Sequence, residues 1–285
     1  MEIWYRLVDG LLPFEWGQYS FMKNALLAVL VIAPVFALLG TMVVSNRMAF
    51  FTDVLGHSAL AGIAIGVICG IHDPTWPMIM MAVILAVLVN VFKGVTRASM
   101  DTVLGVFLAF MVALGITLLS RNGGFVKYTV YLIGDILAVA PGQIFWLCMI
   151  FLVVLIYWCF LGNALILTSV NSSLARSRRI RTFLVETSFT VLLAVVVMIS
   201  IRLVGILIIN SLLVLPAAAS RNFARSTCSY TWWAMIFSVV SGVFGLVTSF
   251  YSGTASGATI VLFLVGCYVL SVFAGRWGFR AKVRG

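Results

Sequence analysis

The sequence predicts an all-α, polytopic membrane protein with eight or nine transmembrane helices in one bundle. Three observations carry this. Of the 285 residues, 63% are hydrophobic and only 9% charged, against the ~25% charge of an average soluble domain. Mean hydropathy is +1.18, and the apolar residues fall into blocks close to the ~20 residues that a bilayer core requires. Those blocks show no two-residue alternation; since only helices and closed barrels satisfy the backbone in lipid, helices are predicted. A disordered chain is excluded by the same composition.

The predicted spans run roughly 22–44, 51–71, 76–93, 102–119, 143–161, 184–201, 203–220, 231–250 and 258–275. Only Arg202 separates 184–201 from 203–220, so one of these two is expected to be short, bent or re-entrant. Residues 1–20 form an N-terminal interfacial segment, 21–275 a single transmembrane domain and 276–285 a basic cytoplasmic tail. The first segment reads as no cleavable signal peptide, because Glu2, Arg6, Asp9 and Glu15 interrupt it. Ile3, Leu7 and Leu11 recur every four residues before Pro13, the pattern of a short helix on the membrane surface.

Lys and Arg number 18 against 8 for Asp and Glu, a formal charge of +10. Basic residues collect in cytoplasmic loops. With the N-terminus outside and nine spans, Arg47, Lys93, Arg97, the four arginines of 176–181, Arg221, Arg225 and the tail all face the cytoplasm. An eight-span count would move the N-terminus to the other side. No basic stripe is interleaved with aromatics, so no nucleic acid is expected as partner, and membrane lipid is. The five cysteines stand singly and read as small apolar filler rather than disulfides or zinc ligands.

Charged groups inside spans are expensive and mark candidate functional sites. The leading case is Asp53 and His57 in Phe51-Thr52-Asp53-Val54-Leu55-Gly56-His57-Ser58. Spacing of four places both on one helical face, one turn apart. Such a pair can share a divalent cation, pass a proton, or satisfy itself near the helix entrance. Ser58, Gly62, Gly66 and Gly70 follow as a small residue every four positions, a pattern for close helix packing about 100° round from His57. Asn210 and Ser211, ahead of Pro216, are polar groups in mid-span that either join helices or line a path. Asp101 is expected at a helix start, and Glu186 is expected to pair with the arginines just before it.

Two loops are long enough to hold structure. The outer stretch 121–142, with Gly123-Gly124, Asp135 and Pro141-Gly142, suits a half-helix; His72-Asp73-Pro74 is an outer turn. The inner stretch 162–183 contains Asn171-Ser172-Ser173-Leu174-Ala175 before its arginines, and Asn171 or Ser172 is suited to cap a short helix there. A docking surface for a soluble partner is one reading of this region, and anchoring at anionic lipid the other.

No G-x-x-x-x-G-K-[ST] occurs, so nucleotide hydrolysis by a P-loop on this chain is excluded; H-E-x-x-H and G-x-S-x-G are also absent. No inverted repeat is evident, which speaks against a metal/proton-coupled secondary transporter, the alternative class.

Taken together, these segments resemble the membrane permeases of bacterial ABC importers for zinc, manganese and iron. Phe51 to Gly66 carries the strongest likeness. Asp101-Thr102-Val103-Leu104-Gly105, Tyr131 to Val139, Val204-Gly205-Ile206-Leu207, Leu215-Pro216-Ala217-Ala218-Ala219 and Ser256 to Val261 follow in the same order along nearly the whole chain. The resemblance implies the metal-type importer permease fold. Its implied partners are a second permease copy or paralogue, two cytoplasmic ATPase subunits and an extracytoplasmic metal-binding protein. It implies ATP hydrolysis on a partner chain, no permanently bound cofactor, and transported Zn²⁺, with Mn²⁺ or Fe²⁺ as alternatives. By the same likeness Asp53 and His57 meet the metal, and Asn171, Ser172, Leu174, Ala175 and Arg176 belong to the region that contacts the ATPase. Two copies of the pair would offer two nitrogen and two oxygen ligands, a set that suits Zn²⁺. The family often has Asp where Asn171 stands and Gly after Ala175.

Overall fold

The computed structural model describes residues 4–5, 15–71, 73–96, 98–121 and 136–283. The predicted outer half-helix falls mostly outside the described residues, as do Asp135, His72 and most of the surface helix around Ile3 to Leu11. Of that surface segment, Trp4 Nε1 donates to the Lys23 carbonyl at 3.0 Å and Tyr5 Oη to Asn24 Oδ1 at 2.8 Å.

Among the described residues there is no strand. The helices are α1 (Ser20–Ser45), α2 (Phe51–Ile68), α3 (Thr75–Val95), α4 (Met100–Arg121), α5 (Pro141–Val170), α6 (Ser172–Ser177), α7 (Thr182–Val204), α8 (Ile206–Ser220), α9 (Thr227–Ser252) and α10 (Ser256–Val283). Eight are long and apolar enough to cross a bilayer. α8 has 15 residues, about 22 Å at 1.5 Å per residue, and is the short member of the pair that the sequence left open. The break between α7 and α8 falls at Gly205, with φ 90 and ψ 152, and not at Arg202, which continues α7. That backbone region is open essentially to glycine alone, so the arginine cannot supply the turn.

The chain folds into two compact units: one of residues 1–44, 135–152 and 203–285, the other of residues 45–134 and 153–202. In the first, the helices meet through small residues. A Cβ on Gly40 of α1 would overlap the Leu213 carbonyl of α8; on Gly242 of α9 it would lie 2.6 Å from Val29 Cγ1, and on Gly245 2.6 Å from Ile260 Cα of α10. Ser238 Oγ donates to the Ala33 carbonyl at 2.9 Å. With Ser241 and Ser249, also buried, these residues form a small-residue stripe down α9 that the sequence reading did not single out. Lipid offers helices no hydrophobic incentive to associate, so backbone approach and interhelical hydrogen bonds hold such a unit together.

In the second unit α2 packs between α3 and α4. A Cβ on Gly62 would lie 2.7 Å from the Pro77 carbonyl oxygen and 2.9 Å from Met78 Cα, and on Gly66 2.5 Å from Pro77 Cγ. On α4, a Cβ at Gly115 would lie 3.4 Å from Leu60 Cβ, and Leu60 and Ala64 cluster with Leu119. α3 is entered through Asp73, whose Oδ1 accepts from the Thr75 amide at 3.0 Å. Asp101 sits in the first turn of α4 as expected, with Ser99 Oγ accepting from the Thr102 amide at 3.3 Å.

One expectation is corrected by side-chain exposure. Cys69, Cys148, Cys159 and Cys228 are exposed and Cys267 is intermediate, so the thiols are not interior filler. A small, weakly polar side chain is equally at home on a helix face turned to acyl chains.

Candidate functional site

Asp53 is the third residue of α2 and His57 stands one turn further on. Both side chains are half-buried, while Val54, Leu55 and Ala59 around them are fully enclosed. The carboxylate and the imidazole interact electrostatically. Phe50, at the helix entrance, offers no side-chain cap, so the carboxylate in the first turn also faces the positive end of the helix dipole.

The helical wheel separates the two duties of α2. Taking His57 as zero and 100° per residue, Asp53 lies about 40° to one side, whereas Gly62 and Gly66 fall at about 140° and 180°. Those two glycines are the ones pressed on Pro77 and Met78. Ser58 is buried and returns its hydroxyl to the Leu55 carbonyl at 2.7 Å. Gly70 departs from the predicted packing stripe. It has φ 74, nothing lies within 4 Å of where a Cβ would stand, and it ends the helix, with the Ile71 amide donating to the Gly66 carbonyl at 2.9 Å. A left-handed residue after a helix is the usual place for glycine. Among the described residues no group of three or more His, Cys, Asp and Glu that could hold a metal ion is found.

In the same unit, α6 is built as the sequence suggested. Asn171 is its N-cap, accepting from the Ser173 and Leu174 amides at 3.0 and 3.1 Å. Either oxygen of an aspartate would do the same work, so the exchange of Asn for Asp leaves the cap intact. Ala175 is fully buried and pins the helix, whereas Ser172, Leu174 and Arg176 are exposed. Arg179, with φ 60, closes it, its amide donating to the Arg176 carbonyl at 2.9 Å. Ser172 and Arg176 line an open cavity of about 480 Å³ shared with Arg47, Lys93, Thr168, Phe183 and Glu186. Three of the basic residues predicted to face the cytoplasm thus meet at one end of the unit.

Glu186 does not pair with the arginines preceding it. It accepts from Lys93 Nζ at 2.6 Å, linking α7 to the end of α3. The arginines of 178–181 sit in or beside the turn that reverses the chain after α6, while Glu186 lies a full turn inside α7. One turn along, buried Asn90 donates to Thr190 Oγ1. Sequence reasoning missed this seam; the signal was an asparagine inside an apolar run three residues before a lysine. Asn210 and Ser211 belong to the other unit, both half-buried; Ser211 Oγ donates to the Leu207 carbonyl at 2.8 Å.

The profile of the ABC 3 transport family matches residues 18–275, through both units. The chain belongs to the ABC 3 transport family. Among its curated relatives, the high-affinity zinc uptake system membrane protein ZnuB of Haemophilus influenzae is 34% identical over 258 residues, covering 90% of this chain and 98% of that protein. The manganese import system permease protein ScaB of Streptococcus parasanguinis is 27% identical, with 93% of each covered. Of solved structures, PsaBC from Streptococcus pneumoniae in complex with Fab matches with TM-score 0.75 and 26% identity over 95% of both chains. An inward-facing putative metal-chelate type ABC transporter matches at TM-score 0.60 and 14% identity, a likeness of fold alone. This ABC 3 family member is a multi-pass, all-helical transporter component of the bacterial inner membrane.

Proposed function

We propose that this chain is the permease of an ATP-driven importer for a divalent transition metal, zinc before manganese or iron. The observation that carries the reading is Asp53 and His57, half-buried and one turn apart on α2, on the side opposite the glycines pressed on α3. One nitrogen and one oxygen donor per chain hold a borderline cation without the thiolates that would retain it. The zinc and manganese systems named among the relatives support the choice of cargo.

The remaining parts follow from this reading. A second permease copy, or a paralogue, would bring its own Asp–His pair to the ion. The exposed side of α6, with Ser172, Leu174 and Arg176, is the docking element for a cytoplasmic ATPase subunit, which hydrolyses the nucleotide. An extracytoplasmic binding protein delivers the metal. Residues 21–275 act as one permease domain, and the half-buried Asn210 and Ser211 are weaker candidates for the path.

Uptake of radioactive zinc, manganese and iron into vesicles carrying the chain with its ATPase and binding protein tests the proposal. Zinc uptake that requires ATP and disappears in His57→Ala is expected. Wild-type uptake by His57→Ala would remove the pair from the path, and uptake driven by a proton gradient without ATP would make the chain a secondary transporter.

A further inference from the structure

The second unit carries a polar seam between α3 and α7. At its outer edge Lys93 Nζ donates to Glu186 Oε2 at 2.6 Å. One turn deeper, Asn90 is 3% exposed and uses its amide nitrogen twice, to the Ala86 carbonyl at 2.9 Å and to Thr190 Oγ1. The Thr190 hydroxyl is in turn within reach of the Glu186 and Thr187 carbonyls at 3.1 and 3.0 Å. Lys93 and Glu186 stand between two cavities, the open one of about 480 Å³ beside α6 and an inner one of about 10 Å³ lined by Met48, Leu165 and Phe189.

Each side of the seam leads to a different part of the transport reading. α7 follows α6 after a four-residue turn, so displacement of α6 is delivered to the start of α7, where Glu186 lies. α3 is pressed on α2 at Gly62 and Gly66 with no room for a methyl group, and interfaces packed to this density move as a body rather than deform. α2 carries Asp53 and His57 on its other face. An apolar contact between α3 and α7 would slide. A buried amide that must keep its partner, backed by an ion pair, has discrete positions instead.

We propose that the Lys93–Glu186 and Asn90–Thr190 seam is the joint that passes movement of α6 and α7 to the α2–α3 pair bearing the metal face. Lys93 and Glu186 are then positioning residues of the transport cycle. This rests on the reading of α6 as the ATPase-docking element and of Asp53 and His57 as the metal face.

The test measures zinc uptake and ATP hydrolysis together in vesicles holding the chain, its ATPase and its binding protein. Lys93→Met and Glu186→Gln should each lower the zinc carried per ATP about fivefold or more, with ATP hydrolysis and zinc binding to the assembled complex at parent levels. The exchange Lys93→Glu with Glu186→Lys should recover most of the lost ratio, and Lys93→Arg should keep it. Recovery by exchange is not expected of a residue that merely fills space. Single variants with the parent ratio overturn the joint, and so does an exchange no better than the singles. If a single variant does not reach the membrane, the exchange and Lys93→Arg still decide the matter by the same ratio. A parent complex that imports no zinc under ATP overturns the importer reading itself, and the joint with it.

Discussion

Gly62 of α2 and Pro77 of α3 meet backbone to backbone: a Cβ on the glycine would stand 2.7 Å from the proline carbonyl oxygen. Proline at the third position of α3 has no amide hydrogen to give, and none is required in a first helical turn. The pair therefore sets the closest approach of the two helices. It fixes which side of α2 is committed to α3, the side opposite His57, while α4 packs on Leu60 and Ala64, within about 60° of His57 on the wheel and further along the helix.

Adding a methyl group here should be costly. Gly62→Ala is expected to destabilise the folded protein by about 1–3 kcal/mol, the usual range for overpacking against atoms that cannot yield. Gly70→Ala is expected to cost about 1 kcal/mol, from its left-handed backbone rather than from contact. Gly105→Ala, in open space within α4, should be neutral or stabilising by up to about 1 kcal/mol. Thermal melting of the three purified variants checks the order, and Gly62→Ala melting with the parent would contradict the packing described.

Cargo selection should follow the ligand at position 57. Zinc favours nitrogen and sulfur, whereas manganese suits oxygen. His57→Asp is expected to shift relative uptake from zinc toward manganese. His57→Cys should bind zinc more tightly yet release it more slowly, so retention rises as turnover falls. Competition between the two ions in vesicle uptake, with equilibrium binding on the same variants, reads both effects. An unchanged zinc-to-manganese ratio in both would place cargo selection elsewhere.

Long apolar blocks made the fold legible, since a stretch that must satisfy its own backbone in lipid has few alternatives to a helix. The Asn171 cap was legible too, because capping depends on residues two and three positions away. What could not be read were partners distant in sequence. Glu186 sits five residues from Arg181 and 93 from Lys93, yet its carboxylate goes to the latter. Proximity along the chain favours the arginine, and the direction of the side chain from α7 decides otherwise. The stripe on α9 was hidden for a different reason, as its serines and glycines at 238, 241, 242, 245 and 249 follow no single spacing. Asp53 and His57 stood out in the sequence as charged groups inside a span at a spacing of four, but which neighbour covers which side of α2 required the coordinates.

α6 offers a separation between structure and docking. Asn171→Ala removes two capping bonds and should cost about 0.5–2 kcal/mol locally, fraying a helix of six residues that has little else to hold it. Metal-stimulated ATP turnover is expected to fall while the spanning helices melt as before. Asn171→Asp keeps the acceptor and should behave as the parent. Leu174→Ala, an exposed side chain, should weaken assembly with the ATPase without changing the melting of the permease alone. Co-purification of the two subunits at graded salt measures it, and undiminished recovery of the ATPase with Leu174→Ala would take that residue out of the contact.

The break at Gly205 gives the sharpest backbone test. With φ 90 and ψ 152, it occupies a region that an L side chain enters at a cost of about 1–3 kcal/mol. Gly205→Ala has two ways to respond. It can hold the turn and lose that stability, or it can adopt helical angles and fuse α7 to α8 into one rod. Fusion would draw α8 away from the α1 backbone that its Leu213 carbonyl touches at Gly40. Holding the turn is the expected outcome, because the backbone contact at Gly40 and the Gly257–Ile208 contact with α10 are lost together in the rod. The variant should therefore melt lower yet still form a disulfide between cysteines placed at Ile208 of α8 and Gly257 of α10, where a Cβ on the glycine would lie 3.0 Å from Ile208 Cγ1. Cross-linking in the parent and its loss in Gly205→Ala would show that the rod forms and that the glycine alone maintains the bend.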